Sequence, residues 1–239
     1  MPSAPVFTPQ AFDLLAAIAR TPTAAFYLSN KAAFKEWVEA PLQGLLRRAA
    51  LRLPGMFRAK METERNLFSR FLKNDFGRGG AWSNYWGAFY PKGSRRVADV
   101  QLSVWVNATR VGISFYIGDY GTGPRDRFRR NCARSLHVLP GLLRPLVENP
   151  RILLPGGGRT RLDEEGYLLA EDPLTWQDWL ADPARADYWA LAAYRPLDVL
   201  AMPGDALEEQ VARLHADYFP LALLAIEDDP LPLIVAYLA

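Results

Sequence analysis

VQLSVWVNATRVGISFYI, residues 100–117, is the stretch of this 239-residue chain that indicates its fold most clearly. In the first half, three apolar side chains share one face of an extended backbone, namely Leu102, Val104 and Val106. The opposite face holds Gln101, Ser103 and Trp105. The second half places Val111, Ile113, Phe115 and Ile117 on one face. Alternation of this kind is typical of half-buried strands, so the two runs, joined by residues 107–110, predict a β-hairpin.

Helical patterns stand on both sides of this hairpin. Before it, apolar periodicity predicts helices over residues 9–20, 30–53 and 62–72, then a glycine-rich loop at 74–80 and a strand over 82–90. After it, helices are predicted over residues 124–137, 205–225 and 231–238. The pattern therefore predicts an α+β fold: N-terminal helices, a central antiparallel sheet with a β-hairpin, and C-terminal helices. We expect one domain over residues 1–239, with a possible internal boundary at the glycines of 156–158.

Composition predicts a soluble cytoplasmic protein. A single cysteine, Cys132, excludes an internal disulfide and is typical of a reducing compartment. The first residues have neither the basic region nor the long apolar run of a signal peptide. The longest apolar run, residues 221–226, is far shorter than the roughly 20 residues that cross a bilayer. We therefore expect no membrane association.

Charge is distributed unevenly along the chain. Residues 47–134 hold 18 Lys and Arg against 6 Asp and Glu, a balance of +12, whereas residues 163–239 hold 3 against 16, a balance of −13. A concentration of one sign creates a strong local field, and the usual partner of a basic face is a polyanion. The acidic third is expected either to pack on the basic half and shield it or to join the protein to something else.

The motifs of common enzymes are missing from the sequence. No phosphate-binding loop of the G-x-x-x-x-G-K-[ST] type occurs, and no G-x-S-x-G turn is present. Two histidines 78 positions apart and one cysteine do not have the spacing of a zinc site. Asp99 starts a strand as in metal-dependent nucleases, but Ser103 stands where those sites need a lysine. We expect no catalytic activity, no metal and no cofactor.

The basic half combines cations, aromatic residues and glycines, which together suit a nucleic-acid backbone and its bases. Nine side chains are candidates for phosphate contacts: Arg70, Lys73, Arg78, Lys92, Arg95, Arg96, Arg125, Arg129 and Arg130. Glycines near residue 79 would let backbone N–H groups approach a phosphate closely. The alternative is that the arginines of the helix near residue 130 only form a solvated surface.

A second group of side chains is the candidate pocket for a base. It consists of Trp82, Asn84, Tyr85, Trp86, Tyr116, Asp119 and Tyr120, with Gln101 as a further polar neighbour. Aromatic rings in such a pocket would stack on the base, a contact worth roughly 1–3 kcal/mol. The alternative is that several of these rings form the buried face of a strand, because aromatic residues dominate ordinary cores.

Two resemblances accompany this pattern. The opening segments, residues 7–12 and 26–31 with Phe34, Val38 and Pro41, resemble a family of bacterial proteins to which no activity is attached. Residues 79–80, 86–89, 101–107, 115–118, 218–221 and 228–231 resemble the N-terminal region that precedes McrB-type AAA+ ATPases. The second resemblance implies a DNA-recognition domain of a modification-dependent restriction system, which flips a modified base of duplex DNA. It also implies an AAA+ ATPase and a nuclease subunit as partners, covalently linked or separate.

The first hypothesis is therefore a DNA-binding specificity module of a restriction system. A protein-interaction module would instead use the basic half to dock an acidic partner. An enzyme of unfamiliar type would bind a phosphorylated small molecule at the loop of residues 77–80.

Overall fold

The computed structural model describes residues 3–118, 120–182, 185 and 187–239. It has an α+β fold, as the sequence predicts. The strands are β1 (Met61–Glu62), β2 (Tyr85–Pro91), β3 (Gln101–Asn107), β4 (Arg110–Ile117), β5 (Ile152–Leu153), β6 (Thr160–Leu162), β7 (Leu168–Ala170) and β8 (Tyr188–Tyr194). Six of them form an antiparallel sheet in the order β1-β2-β3-β4-β8-β5, and β6 pairs with β7 alone.

The helices precede, interrupt and follow these strands. They are α1 (Pro9–Arg20), α2 (Ala24–Ser29), α3 (Lys31–Phe34), α4 (Ala40–Arg52), α5 (Gly55–Lys60), α6 (Thr122–Ser135), α7 (Leu139–Leu142), α8 (Arg144–Val147), α9 (Trp176–Ala181), α10 (Pro196–Ala201), α11 (Gly204–Ile226) and α12 (Leu231–Leu238). Short 3₁₀ turns occupy Arg96–Ala98 and Gly156–Gly158, and a π turn occupies Lys35–Glu39. None of the helices in the described parts of the chain has the length and apolar character needed to cross a bilayer.

The hairpin and most predicted helices are confirmed. β3 and β4 pair antiparallel through the turn at residues 108–109, as expected. The predicted helix over residues 30–53 is α3, the π turn and α4 in succession. The π turn between α3 and α4 has a local cause. Pro41 has no N–H to donate to the carbonyl four residues earlier, and the helix accommodates this missing hydrogen bond with a π turn. α6, α11 and α12 also lie where the sequence predicts them.

The predicted helix over residues 62–72 is wrong. Leu67 and Phe71 are buried at the four-residue spacing of a helix, but the backbone runs instead along the edge of β2. The Ser69 N–H donates to the Trp86 carbonyl at 2.8 Å, and the Ala88 N–H donates to the Leu67 carbonyl at 2.9 Å. Two buried positions four residues apart occur in an irregular edge segment as well as in a helix, so this spacing alone does not establish a helix.

β8 was not predicted, although it lies inside the sheet between β4 and β5. Its sequence, YWALAAY, contains three alanines, which favour helices, and it lacks alternation of apolar and polar residues. β8 pairs with β5, and the glycines of 156–158 lie between these two strands in the chain. The sheet therefore contains residues from both sides of these glycines.

Helices cover one face of the sheet, called here the covered face. The apolar side chains of β3 and β4 predicted to share one side are all buried on it. α11 packs over β3 and β4, and α4 packs beside it over β2 and β3. Pro220 lies inside α11 and removes one N–H from the helix ladder. The Tyr237 hydroxyl of α12 donates to the carbonyl of Ala216, four residues before that proline, at 3.1 Å.

Ion pairs join the basic half to the acidic third. Arg48 of α4 contacts Glu208 of α11 at 2.5 Å, and Lys60 contacts Glu227 at 2.6 Å. Arg127 of α6 contacts Asp228 at 2.9 Å. The acidic third therefore packs on part of the basic half, which was one of the two arrangements expected from the sequence.

His215 lies on α11, fully buried against the covered face. Its Nε2 lies 3.3 Å from the Ser103 carbonyl, and its ring packs edge-on against Phe89. Burial lowers the pKa of His215 to about 4, against a smaller upward effect of the hydrogen bond to Ser103. The imidazole is therefore neutral in the folded protein at neutral pH.

We predict that His215→Leu flattens the pH dependence of stability. The unfolded histidine binds a proton near its ordinary pKa of 6.5, whereas the folded one binds it only near pH 4. The histidine therefore makes the free energy of unfolding fall as the pH drops below 6.5, by about 3 kcal/mol at pH 4. Urea denaturation at pH 7.0 and pH 4.5 measures this difference, with His137→Gln, at the exposed histidine, as the control. An equal loss in wild type and His215→Leu would contradict the assignment.

Candidate functional site

The face of the sheet opposite the helices, called here the open face, carries aromatic and polar side chains. β3 and β4 contribute their alternate residues, and β2 and β8 contribute one tryptophan each. These residues are Trp86, Gln101, Ser103, Trp105, Gly112, Ser114, Tyr116 and Trp189. All but Gly112 line a cleft of about 450 Å³, together with Asn84, Asn107, Arg110, Gly158 and Asp187. Sheet pairing thus brings together residues that are more than 100 positions apart in the chain.

Strand register arranges the open face in three rows. In the first row Trp86 lies opposite Trp105, and Trp105 lies opposite Gly112. In the middle row Ser103 lies opposite Ser114, with their hydroxyl oxygens 2.8 Å apart. In the third row Gln101 lies opposite Tyr116, which lies opposite Trp189. Two aromatic rows therefore flank a small, uncharged polar floor.

Glycine lets Trp105 lie flat in the first row. A Cβ atom at Gly112 would stand 2.1 Å from the Trp105 Cε2 atom, so the indole rests directly on the glycine backbone. Tyr116 rests in the same way over Gly118, where a Cβ atom would stand 2.4 Å from the tyrosine hydroxyl. Both rings therefore lie against the sheet, and both line the cleft. Ring faces are the surfaces on which planar ligands stack.

Two arginines stand beside the first row. The Arg96 guanidinium carbon lies 4.5 Å from the centre of the Trp86 ring, and its Nη1 donates to the Asn66 carbonyl at 2.8 Å. The Arg110 guanidinium carbon lies 5.7 Å from the centre of the Trp105 ring. Burial lowers the pKa of both groups, but arginine remains protonated at neutral pH. The Nε and Nη1 atoms of Arg110 find no acceptor in the described parts of the chain.

The structure brings together part of the predicted base pocket. Asn84, Trp86 and Tyr116 line the cleft, with Gln101 beside them. Trp82 and Tyr120 are exposed and do not line it. Asp119 lies outside the described residues.

Tyr85 requires a correction, because it points to the covered face. Its ring stacks on Phe71 at a centroid distance of 5.3 Å, and its hydroxyl accepts a hydrogen bond from Gln43. The alternation of β2 sends Trp86 to the open face and its neighbour Tyr85 into the core. Tyr85 therefore confirms the alternative of a buried ring, while Trp86 does not.

The side chains predicted to contact phosphate differ in whether they already bind other groups of the protein. Arg70, Arg78, Arg95 and Arg130 are exposed and form no ion pair with any residue that the structure describes. Lys73 lies over the ring of Trp82, and the Lys92 amine donates to the Arg58 carbonyl at 2.7 Å. Arg129 contacts Asp126 at 3.4 Å and the Arg185 carbonyl, and Arg125 is half-buried. Arg96 of the predicted set adjoins Trp86, an aromatic residue of the cleft.

In the glycine-rich loop, a carboxylate of the loop itself occupies a backbone N–H that a phosphate could use. The Asp75 carboxylate accepts the Gly80 N–H at 2.7 Å, which is the kind of backbone donor that a phosphate would use. Lys73 also covers this position, because a Cβ atom at Gly80 would stand 3.0 Å from the lysine Cδ. The loop therefore offers less to a phosphorylated ligand than its composition suggests.

Sequence reasoning missed several residues of the cleft. The sequence pattern puts Trp105 and Ser103 on the outer face of their strand without marking them as site residues. Alternation alone could have indicated them, because an exposed tryptophan has no structural need. Trp189 was missed because β8 was not predicted. Arg110 and Asp187 carry no local signal, since only the fold places them at the cleft.

Within the described residues, no group of three or more His, Cys, Asp or Glu side chains has an arrangement that could hold a metal ion. No family model matches the chain, and comparison with curated proteins finds no significant match. The cleft and the charges around it are therefore the features that bear on function.

We predict that Gly112→Ala displaces Trp105 from the sheet. The added methyl group would overlap the indole, and overpacking of this kind costs about 1–3 kcal/mol of stability. Tryptophan emission should shift to longer wavelength as the ring becomes solvated, and the melting temperature should fall. Gly123→Ala is the matched control, because a Cβ atom there meets nothing within 4 Å. Equal behaviour of the two variants would contradict the flat placement of Trp105.

Proposed function

We propose that the chain is a DNA-binding specificity module without catalytic activity, which holds an unstacked base on the open face of its sheet. The observation that carries the proposal is Trp105, lying flat over Gly112 beside the Arg110 guanidinium in an open cleft. An indole face stacks on any base, and each such contact is worth roughly 1–3 kcal/mol. Extruding a base from a duplex costs a few kcal/mol, which stacking and edge hydrogen bonds must offset.

The polar groups of the cleft suit the edge of a base. The Ser103 and Ser114 hydroxyls form the floor, and the Gln101 and Asn84 amides stand beside them. Hydroxyl and amide groups both donate and accept, so they match the mixed donors and acceptors of base edges. The cleft is polar between its rings without placing a cluster of charges on the floor.

Cations near the first row supply the attraction to phosphate. Arg96 lies over Trp86 of the cleft. The exposed Arg70 is close enough to Arg96 for their charges to interact, and the exposed Arg95 precedes Arg96 in the chain. Contacts of this kind hold the backbone of DNA independently of sequence and release counterions. The acids of the C-terminal third bind other basic residues, such as Arg48 and Arg127, so they leave this group free.

The resemblance to regions that precede McrB-type ATPases supports a setting in a modification-dependent restriction system. In this setting the ligand is duplex DNA with a modified base, and the protein acts in the cytoplasm. Its partners would be an AAA+ ATPase and a nuclease subunit, which supply the motor and the cleavage that this chain lacks.

The proposal is tested by fluorescence anisotropy with short duplexes over a salt series. One duplex is unmodified, one carries 5-methylcytosine and one carries N6-methyladenine. We expect binding that weakens steeply with salt and that favours one modified duplex.

We predict that Arg70→Ala with Arg95→Ala lowers the affinity for all three duplexes alike. Loss of two phosphate contacts should also reduce the slope of log K against log salt by about 2. Arg213→Ala is the control, because that exposed arginine lies on α11, behind the covered face. Wild-type protein that binds no duplex even at low salt would overturn the proposal and favour protein docking instead.

A further inference from the structure

The open face has two aromatic platforms rather than one. The first platform is the pair Trp86 and Trp105, and the second is the pair Tyr116 and Trp189. Residues 101 and 105 of β3 mark their positions along the strand, four residues apart on the same face. At about 3.4 Å per residue the backbone positions of the two platforms are about 14 Å apart along the strand.

The directions of the rings keep the platforms apart. Trp105 leans sideways onto Gly112, within its own row, and Tyr116 leans over Gly118, away from the middle row. Between them lies the Ser103 and Ser114 pair, whose hydroxyls bond to each other. One nucleobase stacks on one ring face and cannot cover two faces so far apart. A single extruded base would therefore leave one platform empty.

We propose that the cleft binds two unstacked bases of one DNA strand, the first on Trp86 and Trp105 and the second on Tyr116 and Trp189. This inference rests on the proposed DNA-binding function and specifies its ligand as a strand unpaired at two positions separated by one nucleotide, because a single nucleotide step does not span the distance between the platforms. Proteins that read single strands on a sheet surface use aromatic residues in this manner, with one ring for each base. The second platform becomes a specificity element, since only a locally opened strand reaches it.

Four labelled DNAs of one sequence separate the possibilities. They are a matched duplex, a duplex with one mismatch, a duplex with two mismatches that flank one matched pair, and the single strand. Mismatched bases are already weakly paired, so the protein spends little binding energy on extruding them. The duplex with two mismatches and the single strand should bind about 5- to 150-fold more tightly than the duplex with one mismatch, as one added stacking contact implies.

Variants assign the gain to the platforms. Trp189→Ala should reduce the affinity for two mismatches to that for one mismatch, and should leave the latter unchanged. Trp105→Ala should weaken both complexes. Trp82→Ala, an exposed tryptophan outside the cleft, is the matched control and should weaken neither. Circular dichroism and melting temperature establish that each variant folds. If Trp189→Ala does not fold, Tyr116→Leu tests the same platform.

The outcomes distinguish the two proposals. Equal affinity of the wild-type protein for one and for two mismatches would overturn the two-base site while leaving DNA binding intact. An equal loss on both DNAs from Trp189→Ala would overturn the second platform in the same way. No binding to any of the four DNAs would overturn the proposed function itself.

Discussion

The packing of α11 against the β3–β4 hairpin is the contact on which the rest of the structure depends. It buries the apolar alternate residues of both strands, and burial of such side chains is the main favourable contribution to folding. Because side chains alternate along a strand, the same contact determines which residues face away from the helix. Ser103 shows both sides of this constraint: its carbonyl lies next to His215 of α11, while its hydroxyl bonds Ser114 in the cleft. A shift of β3 by one residue would exchange the two faces and remove the cleft.

The uneven charge of the sequence has two consequences in the fold. Part of the basic half is used internally, where Arg48, Lys60 and Arg127 bind acids of the C-terminal third. Glu208 is nearly buried, so its contact with Arg48 is screened by solvent less than an exposed pair. Arg70 and Arg95, by contrast, remain exposed and form no ion pair with the described residues. The surplus of +12 over residues 47–134 is therefore not the charge that a ligand meets.

The predictable parts of the fold are those with strong local patterns. The β3–β4 hairpin, α6 and α11 each have an apolar periodicity long enough to identify the element and its buried face. Residues 62–72 and β8 were not predictable in this way. The first has helix-like spacing without helical hydrogen bonds, and the second is rich in alanine although it lies within a sheet. Among the residues that line the cleft, Trp86 and Tyr116 were predictable from the sequence. Trp189 and Asp187 were not, because their place at the cleft depends on β8 and the segment before it. To predict that Tyr85 is buried and Trp86 faces the cleft, one must know which alternate residues of β2 point to which face. A segment in which most residues are aromatic or apolar does not show this.

The distance in sequence between β3 and α11 has a consequence for how the protein folds. Ser103 and His215 are in contact but lie 112 positions apart. Folding slows as contacts join more distant parts of a chain, because closing the loop costs entropy before the contact repays it. During synthesis the hairpin emerges long before the helix that covers it, with its valines, Ile113 and Phe115 uncovered. Such a nascent chain exposes apolar strands that pair readily with other chains, so it is most prone to aggregation in the interval before α11 is synthesised.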